Sequence, residues 1–295
     1  MSTHTVGVLA PNGRVGSAVV SALLKYHNEG KIALVLLHRP GSPPKAQVPD
    51  SVNVREIELE KEVDDIAPAI KGLNVIVSAL GPMQVPLQVP LVNALAKSPD
   101  FVTLIPAYYG HSWIPEDLAD NPIQAKIFET RIAPKTRATE LGISTTMVNT
   151  GIFDQMFFAL GFVGTNVNTN TVQANEAQLK HKIPITTIPY LAEGIAQIVL
   201  QSPESLKDKA FTLVDHWPLG DEVIDALTQV NGSKPTVKDY TDADASALKS
   251  NPPIGPGSAA YRRAWTNDKW NYEPEFNVKG FEKVSLADVA KSWKQ

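Results

Sequence analysis

Ala10, Gly13 and Gly16 stand three residues apart in Leu9-Ala10-Pro11-Asn12-Gly13-Arg14-Val15-Gly16. Between a strand and a helix, this A-x-x-G-x-x-G spacing brings backbone N–H groups and a helix N-terminus up to a diphosphate, where the aligned peptide dipoles favour negative charge. Gly13 allows close backbone approach to the phosphates, and Gly16 lets the helix pack tightly on the sheet. Ala10 stands where the first glycine is usual, a place that accepts a small side chain provided φ stays negative. Asn12, Arg14 and Val15 complete the expected contacts of the turn. Without a ligand the same residues make an ordinary strand-to-helix turn. Their position after the first strand favours the dinucleotide reading.

The next strand ends Leu36-Leu37-His38-Arg39-Pro40-Gly41-Ser42. An acid here would hold ribose hydroxyls; Arg39 instead offers a guanidinium fork suited to a 2′-phosphate, and Ser42 can add a hydroxyl. The expected cofactor is therefore NADP(H) rather than NAD(H), unless Arg39 is merely a solvated residue at a strand end.

The elements that must position these residues follow from hydropathy. Apolar runs at Thr5–Ala10 and Ile32–Leu37, the alternating stretch Val52–Leu59, and Asn74–Ala79, Phe101–Ile105 and Ser144–Val148 read as strands. Between them, Val15–Tyr26, Glu62–Lys71, Val85–Ala96 and Ile123–Leu141 read as helices, the last interrupted by Pro134. Pro86 and Pro90 are placed near the start of the third helix. Uninterrupted apolar strands alternating with helices imply an α/β fold, a Rossmann-type doubly wound parallel sheet. After about residue 155 the pattern loosens. Tyr190–Leu200 and Asp221–Gln229 read as helices, Ala210–Val214 as a strand and Asn251–Ser258 as a loop. The expected division is a dinucleotide-binding domain over 1–155 and a smaller C-terminal substrate lobe over 156–295, with some segments free to return to the sheet.

Composition narrows the chemistry. Of 295 residues 43% are apolar, enough for a large core. With 27 Lys and Arg against 31 Asp and Glu, the net charge of −4 gives no footprint for nucleic acid or an anionic membrane. There is no cysteine, so thiolate nucleophiles and disulfides are excluded. The six histidines show no paired metal-ligand spacing, and no Gly-x-Ser-x-Gly elbow occurs. No apolar run spans a bilayer, and Met1–His4 lead into a strand without the basic start of a signal peptide, so a cytoplasmic protein is expected. Asp64-Asp65 and Asp242/Asp244 read as solvated pairs. Tyr261–Trp270 mixes basic and aromatic residues and is expected to cap the smaller lobe, with Trp265 and Trp270 buried.

Together these residues resemble the isoflavone-reductase-like and NmrA-like branch of the atypical short-chain dehydrogenases. The likeness covers about residues 5–160, more weakly to about 235. It rests on the Ala10–Gly16 turn, Leu37-His38-Arg39-Pro40, Asn74–Gly81, Val102–Gly110 and Leu141–Phe153. It implies that Ala79, Leu80 and Gly81 also touch the nucleotide, and that a small-molecule substrate lies between two lobes. Some members reduce small aromatic or unsaturated compounds, often in specialised metabolism; NmrA-like regulators bind the dinucleotide without turning it over.

The catalytic pattern departs from both relatives. None of the seven tyrosines has a lysine four residues on, so the ordinary Tyr-x-x-x-Lys proton donor is missing. The resembled family places a lysine where Arg131 stands here, with Lys135 one turn later and Lys126 about a turn and a half earlier. A guanidinium cannot transfer a proton, though it can hold negative charge. Lys135 can reach the pocket if Pro134 breaks the helix. Tyr108 and Tyr109 replace the family's Glu and Phe; Tyr108 is a candidate proton donor and Tyr109 a pocket wall. His111 is placed at the pocket rim, where an exposed loop residue is the plainer reading. Phe153, Met156, Phe157, Phe158 and Phe162 either wall an apolar pocket or fill the core.

The expected protein is thus an NADPH-dependent reductase of a small, mainly apolar or aromatic carbonyl or enone metabolite, with Tyr108 or Lys135 supplying the proton and Arg131 stabilising charge. Two alternatives remain: a non-catalytic NADP(H) sensor that binds a protein partner, and a cofactor-independent isomerase or cyclase.

Overall fold

The structure is a computed structural model that describes residues 3–270, 272 and 275–295. The first half runs β1 (Thr5–Leu9), α1 (Arg14–Asn28), β2 (Ala33–His38), β3 (Asn53–Glu56), α2 (Val63–Ile70), β4 (Val75–Ser78), α3 (Gln88–Leu95), β5 (Thr103–Ile105), α4 (Pro122–Glu140) and β6 (Met147–Thr150). Then come β7 (Ile152–Phe153), α5 (Asp154–Phe158), β8 (Thr165–Asn166), β9 (Thr171–Gln173), α6 (Glu176–Lys180), β10 (Ile185–Thr186), α7 (Ile188–Val199), α8 (Pro203–Leu206) and β11 (Ala210–Leu213). The chain finishes with α9 (Gly220–Asn231), β12 (Thr236–Lys238), α10 (Asp242–Lys249), α11 (Gly255–Asn267) and α12 (Leu286–Lys291).

The main sheet has the order β3-β2-β1-β4-β5, every pair parallel. In register, Val6 faces Leu34 on one side and Val75 on the other. Beyond β5 the chain bridges Leu104 to Thr145, and β6 pairs in parallel with β11. Late segments therefore return to the edge of the early sheet. Strands β2, β1, β4 and β5 are apolar on both faces because both are covered, whereas the edge strand β3 is largely exposed. On one face Val19, Val20 and Leu23 of α1 and Leu191, Ile195 and Ile198 of α7 close over Val6, Val8 and Leu36. On the other, Ile66 and Ile70 of α2 and Leu91, Val92 and Leu95 of α3 cover Val35, Leu37 and Ile76. Each such aliphatic side chain contributes about 1.5–3 kcal/mol relative to exposure. A separate cluster gathers Phe157, Phe158, Ile183, Ile185, Val223, Leu227 and Trp265.

Several expectations need correction. Pro134 does not interrupt α4, which is continuous across it. The proline ring is buried, and α4 is clamped to α3 by Arg137, whose Nε donates to Asn93 Oδ1 at 2.8 Å. Tertiary packing outweighs the roughly 3 kcal/mol a mid-helix proline costs. The single helix expected over Val85–Ala96 is a 3-10 turn at Pro82–Leu87 followed by α3, because Pro86 withholds a donor at the join. Asn251–Ser258 is a loop only to Ile254. Pro256 sits in the first turn of α11, where its missing N–H does no harm, and Gly255 touches the Leu248 carbonyl so closely that a Cβ would collide with it. Trp265 is fully buried as expected, but Trp270 is only half-buried. No helix among the described residues is long and apolar enough to cross a membrane.

Candidate functional site

The turn from β1 to α1 opens at the carboxyl edge of the sheet. Gly13 caps α1 with no side-chain hydrogen bond, and no acid stands in the first turn. The leading amides of α1 therefore have no partner within the helix. Gly16 has a structural reason: a Cβ there would strike the Ala10 carbonyl. Gly13 has none, since a Cβ would meet only the Ala10 and Ala79 carbonyl oxygens, each at 3.6 Å. The fold leaves room there that a ligand can use. Ala10 itself has φ +62°, against the negative φ expected. It keeps the left-handed turn of the usual glycine, at a cost of roughly 1–2 kcal/mol.

A cavity of about 400 Å³ runs from this turn to the end of β2, lined by Ala10, Asn12, Gly13, Leu37, His38, Arg39 and Ser42 and, opposite, by Ala79, Leu80 and Gly81. Asn12 shapes it more than it offers itself. Its amide donates to the Pro43 carbonyl at 2.8 Å and accepts the Lys45 amide at 2.7 Å, pinning the loop after β2. Arg39 is exposed and, among the described residues, its guanidinium has no ion-pair or hydrogen-bond partner.

A second cavity, about 370 Å³, shares Gly13, Ala79, Leu80 and Gly81 with the first, so the two are halves of one cleft. Val15, Tyr108, Tyr109 and Phe153 line it, as does Arg131. Gly16 is buried under the turn and lines neither half. Arg14 also lines the second cavity, but its guanidinium is engaged: it pairs with Asp154 at 3.8 Å, donates to Gln155 and lies 4.4 Å from the Trp293 ring centre.

Three expected site residues lie elsewhere. Lys135 is exposed and lines neither cavity, because the unbroken α4 turns it to solvent. Phe157 is fully buried in the cluster around Phe158, Val223 and Trp265, one residue past the part of α5 that reaches the cavity. His111 is not an exposed rim residue. It is completely buried, with its ring 4.3 Å from that of Trp113, 5.5 Å from Trp270 and 5.1 Å from Tyr272. Neither ring nitrogen has a hydrogen-bond partner among the described residues. Desolvation among these rings lowers its pKa to about 4, so the imidazole is neutral.

The phenols are not equivalent. Tyr108 donates its O–H to the His111 carbonyl, and Tyr109 donates to the Ser78 carbonyl at 2.8 Å. Tyr261, on α11, was not singled out as a site residue from sequence, yet it lines the cavity. Its oxygen accepts the His111 amide at 3.0 Å, and its own proton has no acceptor among the described residues. Burial raises the pKa of all three. The charge of Arg131 acts against that rise at Tyr108 and Tyr261. Trp113, Gln124, Ile127 and Phe128 were also missed. For the last three a signal existed: with Arg131 they stand at i, i+3, i+4 and i+7 of one helix. Met156 and Phe162 line the cavity, as their pocket reading anticipated.

No family model and no curated protein matches the chain. Solved structures do. An isoflavone reductase superposes with TM-score 0.75 at 14% identity, covering 99% of both chains. The binary complex of leucoanthocyanidin reductase with NADPH from Vitis vinifera gives 0.73 at 13%, covering 98% of this chain and 99% of that one. AtPrR2 with NADP+ and (+)-pinoresinol gives 0.73 at 16%, covering 100% and 99%. At these identities the likeness establishes a shared fold over the whole chain.

Proposed function

We propose that this chain is an NADPH-dependent reductase of a small, mainly aromatic or apolar carbonyl or enone compound. One observation carries the reading: a single cleft joins an unpaired Arg39 at one end to an aromatic cavity at the other, through the uncapped amides beside Gly13. The first half fits an adenosine with a 2′-phosphate on Arg39 and a diphosphate at the head of α1. That solved structures of the same fold hold NADPH or NADP+ supports the assignment.

A bound nicotinamide nucleotide supplies a hydride; the residues of this chain position the acceptor and complete the reduction with a proton. Tyr261 replaces Tyr108 and Lys135 as the proton donor, since its hydroxyl alone among the three is both at the cavity and uncommitted. Arg131 holds the negative charge that gathers on the substrate oxygen and eases loss of the Tyr261 proton. Residues 156–295 provide the outer wall through Met156, Phe162, Ile254 and Tyr261 and act as the substrate lobe.

Separate titrations with NADPH and NADH, followed by nicotinamide oxidation assays on aromatic ketones and enones, test the reading. Preferential NADPH binding with turnover supports it; equal affinity for the two nucleotides removes the cofactor assignment. A nucleotide sensor is the second reading, favoured by one feature: every phenol at the cavity is pushed above its ordinary pKa. Tight NADPH binding with no oxidation of any such substrate would select it.

A further inference from the structure

The face that α4 turns to the 370 Å³ cavity is polar at its two ends and apolar between: Gln124, then Ile127 and Phe128, then Arg131. Both polar ends lack a side-chain partner among the described residues. Gln124 is only 5% exposed, and although its backbone N–H is held by Asn121 at 3.2 Å, no hydrogen bond reaches its side-chain amide. A buried amide left open toward a cavity is an unfilled recognition group. At the other end, among the described residues, Arg131 has no ion pair or hydrogen bond and no acidic side chain lines the cavity. The second cation there, Arg14, is already neutralised by Asp154. Seven residues of helix separate the two ends, about 10 Å at 1.5 Å per residue.

One unpaired guanidinium beside an apolar wall calls for one negative charge. A carboxylate matches it in charge and in its two-pronged geometry, whereas a phosphate monoester would leave excess charge in the cavity. We infer that the substrate is an elongated aryl-substituted unsaturated carboxylate, its carboxylate on Arg131, where charge gathers as the conjugated double bond accepts hydride, its ring on Ile127 and Phe128, and a hydroxyl at its far end on the Gln124 amide. This deepens the reductase reading by naming the substrate class for the same site, and rests on that reading for what happens after binding.

The test is calorimetric titration of the full-length protein, with and without saturating NADP+, using three probes of suitable length: 4-hydroxycinnamate, its methyl ester, and cinnamate. The acid should bind roughly tenfold to a hundredfold tighter than the ester, and Arg131→Gln should abolish that preference. Cinnamate, lacking the far hydroxyl, should bind a few-fold more weakly than 4-hydroxycinnamate in the wild type and equally in Gln124→Leu. Equal binding of acid and ester, a preference that survives Arg131→Gln, or no measurable binding of the acid each overturns the inference. NADPH titration of the same proteins keeps the two ideas apart. Wild-type protein that fails to bind NADPH sinks the reductase reading while the carboxylate preference stands or falls by itself. Intact NADPH binding in Arg131→Gln, whose side chain is exposed, shows that the variant is folded.

Discussion

The backbone amide of His111 donates to the phenolic oxygen of Tyr261 at 3.0 Å, joining residues 150 positions apart. That bond fixes the phenol at the cavity wall and leaves its proton free, while Tyr108 spends its proton on the His111 carbonyl. Tyr261→Phe should therefore lower kcat about a hundredfold with KM little changed. Tyr108→Phe should mainly cost stability, about 1 kcal/mol, since the His111 carbonyl keeps its bond from the Trp113 amide. Steady-state kinetics beside thermal unfolding of both variants separates the roles; a larger kcat loss in Tyr108→Phe would reverse the assignment.

His111 makes stability depend on pH. Its pKa falls from the ordinary 6.5 to about 4 on folding, because a cation is poorly solvated among the surrounding rings. Below 6.5 the unfolded chain takes up a proton that the folded chain refuses until about pH 4. Stability from this residue is thus complete above pH 6.5 and lost as pH falls through that window, about 2 kcal/mol by pH 5. His111→Phe, which suits the same aromatic cage, should flatten the slope. Urea denaturation of both proteins at pH 7.5 and pH 5 measures it, and parallel losses would show that His111 is not responsible.

The proposed function makes Arg39 the residue that discriminates between the two nucleotides. Arg39→Asp should weaken NADPH by about 1.5–3 kcal/mol, the range for a charged hydrogen bond, and leave NADH unchanged or improved. Equal weakening of both nucleotides would mean that the residue acts on something other than the 2′-phosphate.

The glycine turn separates fold from ligand. Gly16→Ala forces a methyl into the Ala10 carbonyl and should cost about 3 kcal/mol. Gly13→Ala has room and an ordinary φ of −69°, so the melting temperature should hold while NADPH affinity falls at least about tenfold as the methyl meets the phosphates. Ala10→Gly relieves the positive φ and should stabilise by about 1 kcal/mol. Differential scanning calorimetry with and without NADPH reads all three. A Gly13→Ala variant with normal affinity would remove the diphosphate from this turn.

Much of the scaffold was legible before any coordinates. The inner strands of the sheet were each a short apolar run, and α1 carried its buried face as Val19, Val20 and Leu23 at helical spacing. The turn at Ala10–Gly16 and the exposed cation at Arg39 were likewise readable, because each depends on neighbours a few positions away. Even so, the sign of φ at Ala10 and the persistence of α4 through Pro134 escaped local rules, since packing overrode a local preference in both.

Chain order and residue type by themselves determined the parallel α/β layering and the glycine turn at the head of α1. Only the tertiary structure decided that His111 and Phe157 are core, that Lys135 faces solvent, and that Tyr261 shares a wall with Gln124 and Arg131. Periodicity shows which side chains share a face of an element. What covers that face is settled by segments more than a hundred residues away, here α11 closing over α4 and the chain after β5, and no local spacing encodes that meeting.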